Sequence, residues 1–256
     1  MSGSPDWEGL SRGALEFGVS LDSGQMAALE RYLELLCEWN QRFNLTAIES
    51  PDEVLTKHFL DSLACARAVD FASQRTLVDV GTGAGFPGLV LKIAYPHLRV
   101  TLLDAVRKRL GFLSHVAAEL RLNDVEVLHA RAEDVARPGA QARGPKSQPS
   151  PAAPVLRERF DVVTARAVAR LNVLAEWTLP FAKIGGRVIL MKGPDVKEEV
   201  VEAAPALSLL GGGAPEVVTL CLPGTEIGRS LVTVPKLKAT PNAYPRQAGT
   251  ARKSPL

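Results

Sequence analysis

Three glycines at alternate positions, Gly81, Gly83 and Gly85, follow the β-branched and apolar run Thr76–Val80. Such a run reads as a buried strand, and the glycines predict a sharp turn into a helix whose first turn accepts Pro87. Glycine serves there because the backbone must take angles that other residues resist, and because a ligand can then approach the main chain without meeting a Cβ. Counted from Gly83, the residues Gly83, Gly85 and Gly88 spell a dinucleotide fingerprint. The carboxylate of Asp79, two residues before Gly81, argues against that ligand, since it would face a pyrophosphate at the strand end. A ligand with a cationic end and no phosphate is favoured.

S-adenosylmethionine, which carries an ammonium and a sulfonium, answers that description. The stretch resembles the first motif of the class I methyltransferases, with a purely structural glycine turn as the alternative. Further candidates fall at intervals along the chain. Asp104 ends the next apolar run, 23 residues beyond Gly81, which suits an acid reaching a ribose diol in either nucleoside-ligand class. Ala132 and Glu133 follow the third run, where an adenine lies in a doubly wound sheet; the alternative for Glu133 is a helix-starting acid. Arg166 is expected just past the fourth strand, facing the same crevice. His58 and Asp61, three apart, share a helix face, and spacing alone makes them an ordinary surface pair.

The elements that would position these groups alternate. Helical spacing of Met26, Leu29, Leu33 and Leu36 predicts an amphipathic helix over 24–42, capped by Asp22 or Ser23. A second helix is predicted over 52–69, entered at Pro51. Strands are expected at 99–103, 125–128, 160–164 and 187–191, with helices at 107–121, 171–181 and 194–210, the last weakened by Pro205. A hairpin near 216–221 and 230–234 closes the set. This is the grammar of an α/β fold with a doubly wound, mostly parallel sheet. Residues 137–159, rich in Pro, Gly, Ser and Ala, break the pattern and predict a disordered insertion. The expected organisation is one domain: a helical cap over 1–70, a Rossmann-like core over 71–240, and a basic tail over 241–256.

With 256 residues, 46% hydrophobic and 23% charged, the chain has ample core for one large domain. Its net charge of +2 hides an asymmetry: the last 28 residues hold six bases and no acid, leaving 24 bases against 28 acids elsewhere. A basic tail on an acidic body suggests a polyanion partner, or simply a solvated segment. Cys37, Cys65 and Cys221 are odd in number and lack metal-ligand spacing, which points to a reducing cytoplasm and no structural metal. Neither a secretory leader nor a membrane span is read.

Several pieces, in order, resemble one family: Trp39-Asn40, Asn44-Leu-Thr-Ala, His58-Phe-Leu-Asp-Ser-Leu, Val78-Asp-Val-Gly-Thr-Gly-Ala-Gly-Phe-Pro-Gly, Leu103-Asp, Ala165-Arg-Ala-Val, Met191-Lys-Gly and Tyr244-Pro-Arg. It is the bacterial 16S ribosomal RNA guanine-N7 methyltransferase G family, also called glucose-inhibited division protein B. The resemblance implies S-adenosylmethionine as cofactor and one guanine of the decoding-region hairpin of 16S ribosomal RNA, free or in the small subunit, as substrate. It implies cofactor contacts at Gly81, Gly83, Phe86, Asp104, Ala105, Val106, Ala132, Glu133 and Arg166, beside Asp79 and Gly85 of the same loop. It also places His58 and Asp61 by the crevice.

Guanine N7 attacks through a lone pair and needs no general base. Arg166, Lys192 and Arg246 are the candidates for holding the base or its phosphate, since Arg and Lys read the O6 and N7 acceptors of guanine. A monomer is expected. Competing readings are a small-molecule methyltransferase, a non-catalytic RNA-binding or assembly protein, and, disfavoured by Asp79, a nicotinamide oxidoreductase.

Overall fold

Residues 4–138, 155–166 and 169–256 are described by the structure, a computed structural model. The chain opens with α1 (Trp7–Glu16), which the sequence pattern did not signal, and α2 (Ser23–Phe43). Asp22 caps α2: it accepts from the Gln25 N–H, while the Gln25 side chain accepts from the Asp22 N–H. The same Gln25 donates to the Ile93 and Ala94 carbonyls, so one residue starts a helix and satisfies the end of another. The predicted helix over 52–69 is a composite. It runs from α3 (Pro51–Val54) through a π-helical turn (Leu55–Leu60) and α4 (Asp61–Leu63) to a 3-10 turn (Ala64–Arg67).

From there strands and helices alternate: β1 (Thr76–Val80), α5 (Gly88–Ala94), β2 (Arg99–Asp104), α6 (Arg107–Glu119), β3 (Val125–His129), α7 (Ala132–Val135), β4 (Phe160–Arg166) and α8 (Leu171–Thr178). Then follow β5 (Ala182–Lys192), α9 (Lys197–Leu209), β6 (Glu216–Cys221), β7 (Gly228–Pro235) and α10 (Thr250–Lys253). The seven strands take the order β3-β2-β1-β4-β5-β7-β6. All pairs are parallel except those of β7, which lies antiparallel between β5 and β6. This is the expected doubly wound α/β sheet, with its hairpin inserted rather than appended.

Strand alternation divides the core. Leu77, Val162, Ile189 and Met191 face the cap with α5 and α6, whereas Val78, Val163, Val188 and Leu190 face α7, α8 and α9. Burial on both faces explains why the central strands read as continuous apolar runs.

Two expectations are corrected. The insertion predicted over 137–159 lies, for residues 139–154, outside the described residues, but its far end is ordered. Leu156 is buried, and Arg157 donates to the carbonyls of Ala136, Tyr244 and Thr240. The basic tail, whose alternative reading was a solvated segment, is packed against the body. Arg246 grips the buried Glu176, Arg252 lies over the Trp177 ring at 5.0 Å, and Tyr244 and Leu256 join the second core. The charge of Arg246 is balanced by a carboxylate of α8 that lies seventy residues earlier, beyond the reach of local charge counting.

Candidate active site

The glycine loop connects β1 to α5, and its glycines meet two different needs. Gly81 and Gly83 have φ of +73° and +63°, and a Cβ at either would meet nothing within 4 Å, so their backbone borders open space. Gly85, at φ +104°, is required by packing: a Cβ there would collide with the Tyr32 hydroxyl and Leu89. Tyr32, fully buried on α2, donates to the Ala84 carbonyl and stacks between Phe59 and Phe86, with centroids 5.4 and 5.5 Å away. The cap thereby fixes the loop and the direction of Phe86. Gly85, expected to contact a cofactor, serves the fold.

Asp79 is likewise turned inward. It is fully buried, its Oδ2 accepting from the Gly88 N–H at 2.9 Å and its Oδ1 from the Thr164 hydroxyl at 3.0 Å. Burial pushes its carboxyl up, against the pull of those donors. The expected direct contact with a cationic ligand is therefore corrected: Asp79 anchors the start of α5, and only its field reaches the loop.

Beyond the loop lies a cleft of about 500 Å³, walled by Leu45, Thr46, Ile48, Lys57, His58 and Asp61 from the cap side, and by the 81–84 backbone and Phe86. Arg109, Arg166, Met191, Lys192, Gly193 and Arg229 complete it. His58 stacks on Phe86, centroids 4.3 Å apart and planes inclined by 11°. Arg166 Nη2 lies 3.0 Å from His58 Nδ1, and because a guanidinium only donates, Nδ1 must accept. The ring proton is then on Nε2, which donates to Thr46 Oγ1 at 2.8 Å. Burial, helped by the Arg166 charge, pushes the His58 imidazole down to about 3. His58 is neutral, and its only acceptor is occupied.

Asp61 is equally committed. Its Oδ1 accepts from Arg229 Nε at 2.8 Å, and its Oδ2 lies 3.4 Å from Arg166 Nη1. Burial raises its carboxyl and the two guanidiniums oppose that rise. Both His58 and Asp61 are less than one-tenth exposed, which removes the surface-pair alternative. They are joined through Arg166, which also donates to the Lys57 carbonyl at 3.2 Å and sits 5.0 Å above the Phe86 ring. Arg166 is the last residue of β4 rather than a residue beyond it.

The remaining candidates divide. Lys192 lines the cleft, but its ammonium is held by Glu199 at 2.8 Å and the Ala169 carbonyl at 2.9 Å. Arg246 is absent from the cleft wall: its guanidinium meets both Glu176 oxygens, Oε1 at 3.0 Å and Oε2 at 2.6 Å, so its expected role at the substrate is corrected. Asp104 is buried at the end of β2 and is bonded to Gly83, Val106 and Arg109. Ala105 and Val106 are exposed on the way into α6. Ala132 and Glu133 are buried in α7, where Glu133 Oε1 accepts from the Gly249 N–H at 3.1 Å.

Among the charged cleft residues, Lys57 and Arg109 were not singled out in the sequence, and Thr46 appeared only inside the Asn44-Leu-Thr-Ala piece. Arg229 was counted only as tail charge, and no spacing could have joined it to Asp61, 168 residues away. Among the described residues no helix is long and apolar enough to cross a membrane, and no group of three or more metal-ligating side chains occurs.

A family model described as "rRNA small subunit methyltransferase G" matches residues 25–225. Curated relatives bearing the name ribosomal RNA small subunit methyltransferase G cover nearly the whole chain. The protein from Alkaliphilus metalliredigens is 43% identical over 96% of this chain and 97% of its own. Those from Exiguobacterium sibiricum and Geobacillus kaustophilus are each 46% identical over 94% of this chain and 95% of theirs.

Proposed function

The chain belongs to the rRNA small subunit methyltransferase G family, and from that premise we propose that it moves the methyl group of S-adenosylmethionine to N7 of one guanine in 16S ribosomal RNA. The observation that carries this reading is a cleft in which open glycine backbone faces several guanidinium groups while its imidazole and carboxylate are both engaged.

The residues present fit the cofactor. Gly81 and Gly83 leave the main chain bare toward open space, as close approach of a nucleoside ligand requires. Gly81, Gly83 and Phe86 would hold it from the loop, Asp104, Ala105 and Val106 from the end of β2, and Ala132 and Glu133 from α7. When bound, S-adenosylmethionine supplies an electrophilic methyl on a positively charged sulfur.

The chain's own part is alignment. N7 of guanine bears an in-plane lone pair and no proton, so attack on the methyl requires no base. His58, neutral with its acceptor taken, and Asp61, held by two arginines, are suited to shaping the cleft rather than removing protons. With N7 as the attacking atom, O6 of the guanine edge remains to be held by a donor. Arg166 is the best placed: stacking on Phe86 and its bonds to His58 and Asp61 hold the guanidinium plane still, and fixed geometry is what an in-line displacement needs.

Mapping methylated guanines in ribosomal RNA from cells with and without the gene tests the reading. One N7-methylguanine of 16S ribosomal RNA should vanish with the gene, and purified protein with S-adenosylmethionine should restore it on either free RNA or the subunit. An unchanged RNA map, with methylation of a small molecule instead, would overturn it.

A further inference from the structure

Asp104 stands at the end of β2, where a nucleoside-binding sheet presents an acid to a ribose diol, yet its carboxylate is closed. It is 3% exposed. Its Oδ1 accepts from the Val106 N–H at 2.7 Å, and its Oδ2 from the Gly83 N–H at 2.9 Å and from Arg109 Nη1 at 3.1 Å. A carboxylate offers about four acceptor positions, and a diol asks for two. One of the three donors must leave, and the two amides are fixed by the glycine loop and the approach to α6.

Arg109 is the donor that can leave without disturbing the backbone. It sits in the first turn of α6 with its side chain 34% exposed, and its Nε is buried without a hydrogen-bond partner among the described residues. Its present position is thus incompletely satisfied. It also borders the cleft, where the one acid among the described lining residues, Asp61, is already held by Arg166 and Arg229. A guanidinium displaced from Asp104 finds no free carboxylate on the cleft wall, and its natural partner is an anion that arrives from outside.

We propose that Arg109 is shared between two subsites: it covers Asp104 in the free protein, yields it to the ribose diol of the cofactor, and then offers its charge to a phosphate of the RNA substrate. The inference rests on the methyltransferase reading above. It makes cofactor and RNA binding mutually supportive, because each ligand takes one side of an ion pair that must otherwise be broken at a cost.

The test is calorimetry on the full chain, with S-adenosylhomocysteine and with 5′-methylthioadenosine, which keeps the ribose but lacks the amino-acid end. It is paired with 16S ribosomal RNA binding measured with and without S-adenosylhomocysteine. In the parent, S-adenosylhomocysteine should raise RNA affinity. In Arg109→Ala both nucleosides should bind as tightly as in the parent or tighter by about two- to fivefold, the range spanned by a partly exposed ion pair. RNA should then lose its response to S-adenosylhomocysteine and part of its salt dependence, while Arg109→Lys keeps some of the response.

Weaker binding of both nucleosides by Arg109→Ala would make Arg109 a positioning residue for Asp104 and overturn the proposal. Weaker S-adenosylhomocysteine with unchanged methylthioadenosine would overturn it in favour of a grip on the amino-acid carboxylate. A parent protein that binds neither nucleoside would instead remove the methyltransferase reading beneath it.

Discussion

Two of the buried carboxylates held by arginine, Asp61 and Glu176, serve opposite ends. Asp61, on the cap, meets Arg166 from β4 and Arg229 from β7 beside an open cleft, with Phe86 and His58 stacked against the assembly. Glu176, on α8, meets both the backbone and the side chain of Arg246 and is enclosed by the tail that it secures. Chemically the two are alike. The difference is what lies beyond the pair: at Asp61 the guanidiniums border about 500 Å³ of open space next to bare glycine backbone, whereas at Glu176 the Arg246 fork is spent on Glu176 and the Ser254 carbonyl. A buried Arg–carboxylate pair is therefore a poor marker of a site unless space and uncommitted donors adjoin it.

The comparison is broken most forcefully at the tail. Arg246→Met leaves Glu176, 1% exposed, without its charged partner, and should cost about 3 kcal/mol or more of stability in urea unfolding. The folded fraction should bind S-adenosylhomocysteine as the parent does. Intact stability together with lost RNA binding would return Arg246 to the substrate and erase the contrast.

Gly83→Val attacks the other region. At φ +63° a β-branched residue is strained, and its side chain enters the space beside the loop. Cofactor affinity should fall by about 100-fold or more by calorimetry, with much of the strain cost also appearing in stability. A folded variant of near-normal affinity would move the cofactor elsewhere.

Acid sharpens the comparison, because His58 belongs only to the cleft. Its folded pKa of about 3 lies below the ordinary value of 6.5, so between these limits the unfolded chain binds a proton that the folded one refuses. Stability then falls as pH drops, by about 2 kcal/mol from pH 7 to pH 5 for this group. His58→Gln should lose that share of the pH dependence, which urea titrations at the two pH values measure. An equal slope in parent and variant would mean that His58 is solvated.

The smallest effect is on rate. Single-turnover methyl transfer in His58→Gln should drop by less than about tenfold, and parent and variant should share a flat profile between about pH 6 and 9. A steep rise in the parent, flattened in the variant, would point to a target nitrogen that must first lose a proton.

Much of this was legible in the chain itself. The apolar runs, the glycine loop and the strand–helix alternation are local patterns, and they sufficed for the parallel sheet, for β1 to β5 in order, and for the capped helix at Asp22. The composite winding over 51–67 was not legible, since a single π turn inside an α-helical run widens the spacing by about one residue, too little to read from a few apolar side chains.

Within the candidate site, Gly81, Gly83, Phe86, His58, Asp61 and Arg166 could be picked out because each sits in a short motif, and the structure brings these six to one cleft. What each side chain does there was decided by tertiary contacts. Asp79 and Gly85 look like ligand contacts in sequence, but α5 and Tyr32 claim them. Arg246 looks like a free cation until Glu176 is folded beneath it. Arg229 reaches Asp61 only because β7 is inserted antiparallel between β5 and β6. Periodicity and backbone demands act over a few residues and are written in the chain locally, whereas the partner of a charge depends on which distant segments the fold packs together.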